Sequence, residues 1–130
     1  IMMKTDRVFT GTDFSDADML VLPGGMPGTL HLGDCEGLKG FLMKAAEENG
    51  RIAAICAAPT VLGKLGLLNG RKAICYPGME DGLTGAEVTD GNITTSRGLG
   101  TAIPFALRLI EELSGKETAD RIAESVVYQA

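Results

Sequence analysis

The stretch Ile52-Ala53-Ala54-Ile55-Cys56-Ala57-Ala58-Pro59-Thr60 decides how the chain is read. An apolar run stops at a cysteine set between small residues. Pro59, three positions on, suits the first turn of a helix, where its missing N–H leaves no bond unmade. Strand, sharp turn and helix follow from that order. A side chain at such a turn projects above the end of a sheet, small neighbours let backbone N–H groups approach a ligand, and the positive end of a helix favours a thiolate. Cys56 is the candidate nucleophile. Free cysteine is also among the most buried residue types, so on this stretch alone a structural cysteine stands beside the reactive one.

Upstream, Met19-Leu20-Val21-Leu22 is a continuous apolar run stopped by Pro23-Gly24-Gly25, the pattern of a parallel strand covered on both faces. A loop continues through Met26-Pro27-Gly28. Leu38, Phe41, Leu42 and Ala45 then recur at helical spacing, which predicts an amphipathic helix over about Glu36 to Asn49, closed by Gly50. Residues 1 to 16 offer only Val8, Phe9 and Phe14 for burial and read as an edge segment or loop.

Downstream, a short helix from Pro59 to about Leu65 is followed by a third strand, Ala73-Ile74-Cys75-Tyr76, ended by Pro77-Gly78. Glu80 to Glu87 is polar and contains glycine, hence loop. Asp90-Gly91 between Val88 and Ile93 signals a tight hairpin turn. A fourth strand, Asn92 to Thr95, ends in Ser96-Arg97-Gly98-Leu99-Gly100. The next helix, about Thr101 to Leu113, aligns Ile103, Ala106, Leu107, Ile110 and Leu113 on one face, with Gly115 beyond its end, and a last helix covers about Glu117 to Val126.

This alternation implies an α/β fold, a mostly parallel sheet with helices on both faces in the doubly wound manner. The loops Pro23-Gly24-Gly25, Cys56-Ala57-Ala58, Tyr76-Pro77-Gly78 and Ser96-Arg97-Gly98 all follow carboxyl ends of strands, which is the ligand-binding edge of such sheets. That convergence favours the reactive reading of Cys56, because a nucleophile there meets glycine-rich backbone donors.

Composition narrows the classes. A chain of 130 residues, 45% hydrophobic and 22% charged, suits a single globular domain over residues 1 to 130 with a sizeable core. Seventeen acids against twelve bases give a net charge of −5, and the bases are scattered. This argues against a nucleic-acid or anionic-membrane surface and for small-molecule or protein partners. Cys35, Cys56 and Cys75 form no disulfide framework, no apolar run approaches a membrane span, and the opening residues lack a signal peptide's apolar core, so a cytoplasmic location is expected. His31 and Cys35 at i, i+4 are too few for a metal site, and His31 reads as a surface residue. Cys75 reads as core, and nothing near Cys35 in sequence activates it. Arg97 suits an anionic substrate group, a partner subunit's carboxylate or a structural ion pair. Neither Gly24-Gly25 nor Gly98-Leu99-Gly100 completes a phosphate-binding pattern, which excludes a nucleotide fold.

Taken together, Leu22-Pro23-Gly24-Gly25, Ala54-Ile55-Cys56-Ala57-Ala58-Pro59, Tyr76-Pro77-Gly78 and Thr95-Ser96-Arg97-Gly98 resemble the ThiJ/PfpI superfamily, in the branch of the parkinsonism-associated protein deglycase. The resemblance covers nearly the whole chain. It implies a flavodoxin-like sheet related to class I glutamine amidotransferases, a homodimer, no cofactor or metal, and a strained reactive cysteine at a nucleophile elbow, here Cys56. It also implies that the backbone N–H groups of Gly25 and Ala57 serve as oxyanion donors, with Gly24, Tyr76 and Arg97 lining the substrate site.

This chain departs from the family pattern in three ways. The family's cysteine is hydrogen-bonded by a carboxylic acid, normally glutamate, on a helix near the start of the fold, and no residue here matches it. Family members open with a further βαβ unit of roughly 30 or more residues, so the domain is expected to be incomplete at its N-terminus. A separate segment is expected to add one or two strands beside Met19 to Leu22 or Ile52 to Ile55 and to bring a glutamate to Cys56. Asp18 is expected at the opposite edge from Cys56, and Glu80, Asp81 and Glu87 in a solvated loop. Second, Ala57 stands where the protease-like branch has histidine, and Tyr76 stands where the deglycase branch may carry one. Third, the link from Glu87 to Thr89 is short for the family.

The implied function is a cysteine-dependent enzyme acting on small reactive carbonyl compounds or their adducts, glyoxalase-like or deglycase-like. A redox sensor in which Cys56 is oxidised without turnover is the alternative from another class. An amidase or peptidase is a third, weakened by Ala57 and the lone His31.

Overall fold

The computed structural model describes residues 1–79 and 87–130. Four strands form one sheet in the order β1-β2-β4-β3: β1 (Met19–Leu22), β2 (Arg51–Ile55), β3 (Glu87–Asp90) and β4 (Ile93–Ser96). β1, β2 and β4 run parallel, and β3 returns antiparallel to β4 with Asp90 opposite Ile93. Gly91, at φ +64°, takes the left-handed position of that hairpin turn, where a Cβ would be strained. The helices are α1 (Gly28–Asp34), α2 (Glu36–Glu47), α3 (Pro59–Lys64), α4 (Ala102–Ser114) and α5 (Lys116–Ser125), with a 3-10 turn at Leu99–Thr101. The mixed, mostly parallel α/β architecture is the one read from the alternation of motifs.

Alternate residues of each strand serve the two faces. Leu22, Ile52, Ala54 and Ile93 join Leu42 of α2 and Val61 and Leu62 of α3 in one buried cluster, with Leu32 of α1 packed against it. On the other face Thr94 sends its hydroxyl to Glu112 of α4 at 2.7 Å. By register Ala53 and Val21 share the face of Thr94. Ala53 is fully buried, but Val21 is 49% exposed. The α4–α5 layer therefore stops short of β1, and the outer edge of β1 is unpaired among the described residues. Because β2 already lies between β1 and β4, the expected addition of a strand beside Ile52 to Ile55 is ruled out. Of the two strands named, only β1 has a free edge among the described residues.

Four sequence expectations change. The loop after Gly25 is largely helix α1. Its buried Thr29 donates both its N–H and its hydroxyl to the Gly25 carbonyl, at 2.9 and 2.8 Å, which ties the first turn back to the loop despite the two helix-weakening glycines. Residues 73 to 76 do not join the sheet. The segment is buried over Ala73, Ile74 and Cys75, but its N–H groups go to side chains and a loop: Lys72 to Asp90 Oδ2 at 2.7 Å, Ile74 to Thr95 Oγ1 at 2.8 Å, and Tyr76 to the Cys56 carbonyl at 2.7 Å. With its donors used in this way it makes no strand ladder.

The third change concerns α4. Ile103 and Leu113, read as core-facing, are 50% and 47% exposed, Ala106 is exposed as well, and Phe105 is buried instead. The helix is rotated because the sheet beneath it presents threonines. Glu112 Oε1 accepts from Thr94, from Thr89 at 3.2 Å and from Arg108 Nε at 3.3 Å, a polar seam that a leucine could not make. Fourth, Glu87 is not in a loop but opens β3, opposite Ser96. Glu80 and Asp81 lie outside the described residues.

Residues 1 to 16 form turns rather than a strand. They are held by Phe9 and Phe14, which stack on each other at 5.4 Å and meet Phe41 of α2 edge-on at 6.1 and 5.3 Å. Beside them an apolar groove of about 280 Å³ runs along β1, lined by Phe14, Met19, Val21, Leu32, Leu38 and Phe41 among others.

Candidate active site

Cys56 follows β2 directly and adopts φ +65°, one of three non-glycine residues in the left-handed region among the described residues. For a residue with a Cβ this conformation costs about 1–2 kcal/mol and persists only where the surroundings impose it. Here they do so from two sides. The Cys56 N–H donates to the Ser96 carbonyl at 2.9 Å, and its own carbonyl accepts from Tyr76 N–H at 2.7 Å. The peptide is thus clamped between the loop after β4 and the segment before Pro77. The turn continues into α3 through Ala58 N–H to the Ile55 carbonyl at 3.2 Å and the Thr60 hydroxyl to the Ala57 carbonyl at 2.6 Å, with Pro59 in the first turn of the helix.

Two glycines form the walls. A Cβ at Gly24 would stand 2.5 Å from the Cys56 Cβ and 2.8 Å from the Ile55 carbonyl oxygen, so the Pro23-Gly24-Gly25 turn touches the cysteine backbone directly. A Cβ at Gly98 would lie 3.8 Å from both the Cys56 Sγ and the Tyr76 ring. Gly24, Gly98 and Tyr76 are therefore brought to Cys56 as the loop positions predicted. Ala57 is buried and Gly25 is exposed at φ +90°. Among the described residues neither gives its N–H to another group.

Arg97, in the same loop as Gly98, is exposed and makes no ion pair among the described residues. Cys56 is partly exposed, Cys35 likewise, and Cys75 is buried. No carboxyl group of the described residues hydrogen-bonds the Cys56 sulfur. Asp18 lines a shallow depression with Asn49, Gly50 and Asn92 at the amino end of the strands, the opposite edge, as expected. His31 is exposed on α1. Sequence reading passed over Thr101, whose hydroxyl ties the loop that carries Gly98. A threonine immediately before a helix is a capping signal that could have marked it.

The comparisons with known proteins agree with this geometry. The sequence matches the DJ-1/PfpI family over residues 1–112. It is 44% identical over 119 residues to protein dj-1beta of Drosophila melanogaster, covering 85% of this chain and 63% of that protein. The crystal structure of Drosophila DJ-1beta superposes with a TM-score of 0.82 at 40% identity, over 87% of this chain and 65% of that one. A Caenorhabditis elegans relative named glutathione-independent glyoxalase DJR-1.2 is 34% identical over 113 residues, covering 81% of this chain and 60% of its own length. The chain thus spans less than two thirds of the length of these relatives. No helix among the described residues is long and apolar enough to cross a membrane. On the family match, the fold and the four motifs alike, the chain belongs to the DJ-1/PfpI family.

Proposed function

We propose that the protein is a cysteine-dependent enzyme acting on small α-oxoaldehydes or their adducts. The observation that carries this reading is the clamped, left-handed Cys56 at the carboxyl edge of the sheet, partly exposed and walled by Gly24, Gly98 and Tyr76. The relative named a glyoxalase supports the same class of substrate. In the proposed reaction the Cys56 sulfur adds to the aldehyde carbon and the carbonyl oxygen takes up a proton, giving a hemithioacetal. The hydrogen on that carbon then leaves as a proton and returns to the neighbouring ketone carbon, while the hydroxyl proton passes to the ketone oxygen, which produces a 2-hydroxyacyl thioester. Water releases a 2-hydroxy acid and restores the thiol. The N–H groups of Gly25 and Ala57, unclaimed within the described residues, are the proposed donors to the developing oxyanion. Gly24 shapes the floor, and Tyr76 and Arg97 face substrate from the rim.

Proton transfer needs an acid/base group. We assign it to a carboxyl on a segment that docks along the open edge of β1, where Val21 and the apolar groove stand uncovered. The greater length of the relatives supports such a segment. Homodimer formation and a cytoplasmic location complete the proposal, and sedimentation reads the first. The decisive assay is lactate formation from methylglyoxal by the complete protein, with the segment that carries the carboxyl, and by its Cys56→Ala variant. Lactate from the first alone is expected, and equal rates would remove the mechanism.

A further inference from the structure

We infer that Thr101 is the positioning residue that sets the Cys56 thiol. Its hydroxyl has one proton and two acceptor lone pairs, and all three are used. It donates to the Gly98 carbonyl at 3.0 Å, accepts from Gly98 N–H at 3.1 Å, and meets the Ser96 hydroxyl at 2.8 Å. The Thr101 N–H adds a further bond to the same Gly98 carbonyl at 2.9 Å. One side chain therefore closes the loop from Ser96 to Thr101 upon itself.

That loop touches Cys56 at two points. The Ser96 carbonyl receives the Cys56 N–H, and Gly98 stands beside the sulfur at a distance that an added Cβ would bring down to 3.8 Å. Ser96 and Gly98 are both buried, whereas the tip between them and the helix, Leu99, is 93% exposed. Ser96 closes β4 opposite Ile55 and Glu87 and is held there by the sheet; beyond it, next to so exposed a tip, the Thr101 tie holds Gly98 and the end of the strand. Thr101 also stands at the N-cap of α4, so the tie is anchored to a thirteen-residue helix rather than to another loop. The chain of causes runs from hydroxyl to loop, from loop to the Cys56 peptide, and from there to the direction of the thiol. If the Ser96 carbonyl drifts, Cys56 loses one of the two bonds that hold φ at +65° and relaxes toward ordinary backbone, turning its sulfur away from solvent.

The inference rests on the reading of Cys56 as the reactive thiol, and the test separates the two. Iodoacetamide alkylation of each cysteine is followed by peptide-resolved mass spectrometry in the native protein, Thr101→Val and Thr101→Ser, with thermal melting alongside. In the native protein Cys56 is expected to react first. If Cys35 or Cys75 reacts first, the reading of the site itself falls. Thr101→Val is expected to slow Cys56 about ten-fold, the size of one lost hydrogen bond expressed as a rate, while Cys75 stays unreactive. Thr101→Ser, which keeps the hydroxyl, is expected to restore the native rate. An unchanged Cys56 rate in Thr101→Val overturns the inference, as does a serine variant as slow as the valine one. Faster alkylation of Cys75 together with Cys56 also overturns it, because that pattern marks general loosening rather than positioning.

Discussion

The two ends of β4 are held by opposite means. At its amino end side chains do the holding. Glu112 gathers Thr89, Thr94 and Arg108, Asp90 takes the Lys72 N–H on its side chain and the Arg71 guanidinium on its carbonyl, and Asn92 donates to the Gly50 carbonyl at 2.6 Å. At its carboxyl end the two bonds on the Cys56 peptide are backbone to backbone, with the Thr101 hydroxyl tying the loop behind them, the residues are small, and left-handed conformations at Gly25 and Cys56 replace side-chain bulk. The difference teaches where each end is vulnerable. A network with several donors on one carboxylate tolerates the loss of one of them. A turn built on the absence of a Cβ tolerates almost no addition.

The largest effect is therefore expected at Gly24→Ala. The new methyl group has no room beside the Cys56 Cβ and the Ile55 carbonyl, neither of which is a flexible side-chain end. A stability loss of about 3 kcal/mol is expected in urea denaturation, together with a collapse of Cys56 alkylation. A variant as stable as the parent with native thiol reactivity would show that the walls are not rigid. At the other end, Glu112→Ala is expected to cost about 2 kcal/mol, because the part-buried hydroxyls of Thr89 and Thr94 lose their shared acceptor, and to leave Cys56 reactivity as it was. Altered alkylation in that variant would mean that the two ends are coupled.

Smaller is the comparison of Cys56→Gly with Cys56→Ala. Both lack the sulfur, but only alanine keeps a Cβ at φ +65°, so the glycine variant is expected to be the more stable by about 1 kcal/mol in parallel melts. The reverse order would show that the left-handed turn is unstrained. The smallest effect belongs to a pair outside both ends. Lys116 donates to Asp120 at 2.6 and 2.7 Å, and that hydrogen bond raises its ionisation above the usual lysine value. Its contribution is complete below the unfolded lysine pKa and fades as pH rises through the raised folded value. Stability curves of the parent and Lys116→Met are thus expected to converge slightly at strongly alkaline pH, where continued separation would assign the difference to packing.

Much of the carboxyl end was legible in the sequence, because small residues and punctuation are themselves the structure there. Pro23-Gly24-Gly25, Cys56-Ala57-Ala58-Pro59 and Ser96-Arg97-Gly98 state where strands end and which backbones approach one another. The amino end was less legible. Ile103 and Leu113 share an apolar stripe on any helical wheel, and periodicity alone assigns it to the core. What turned α4 was the chemistry of the surface opposite, Thr89 and Thr94 against Glu112, a relation between segments far apart in sequence. The extended segment at 73 to 76 was misread for a kindred reason. Its residues have strand propensity, but the Ile74 N–H goes to the Thr95 side chain and that of the preceding Lys72 to Asp90. Similarly, α1 forms despite Gly28 and Gly33, with its first turn tied to the Gly25 carbonyl through Thr29, a bond that sequence patterning does not reveal.

The clamp on Cys56 also orders events during folding. Its two bonds come from Ser96 and Tyr76, forty and twenty residues downstream, so neither can exist while only the segment up to α3 has been made. Long-range contacts of this kind form late, after the entropy of closing large loops has been met. A nascent or partly opened chain therefore carries an ordinary cysteine at position 56, free to adopt common backbone angles. Special geometry arrives only when the sheet is assembled through β4 and is the first thing surrendered when that strand lets go, which makes the sulfur a reporter of the native state as well as its most specialised atom.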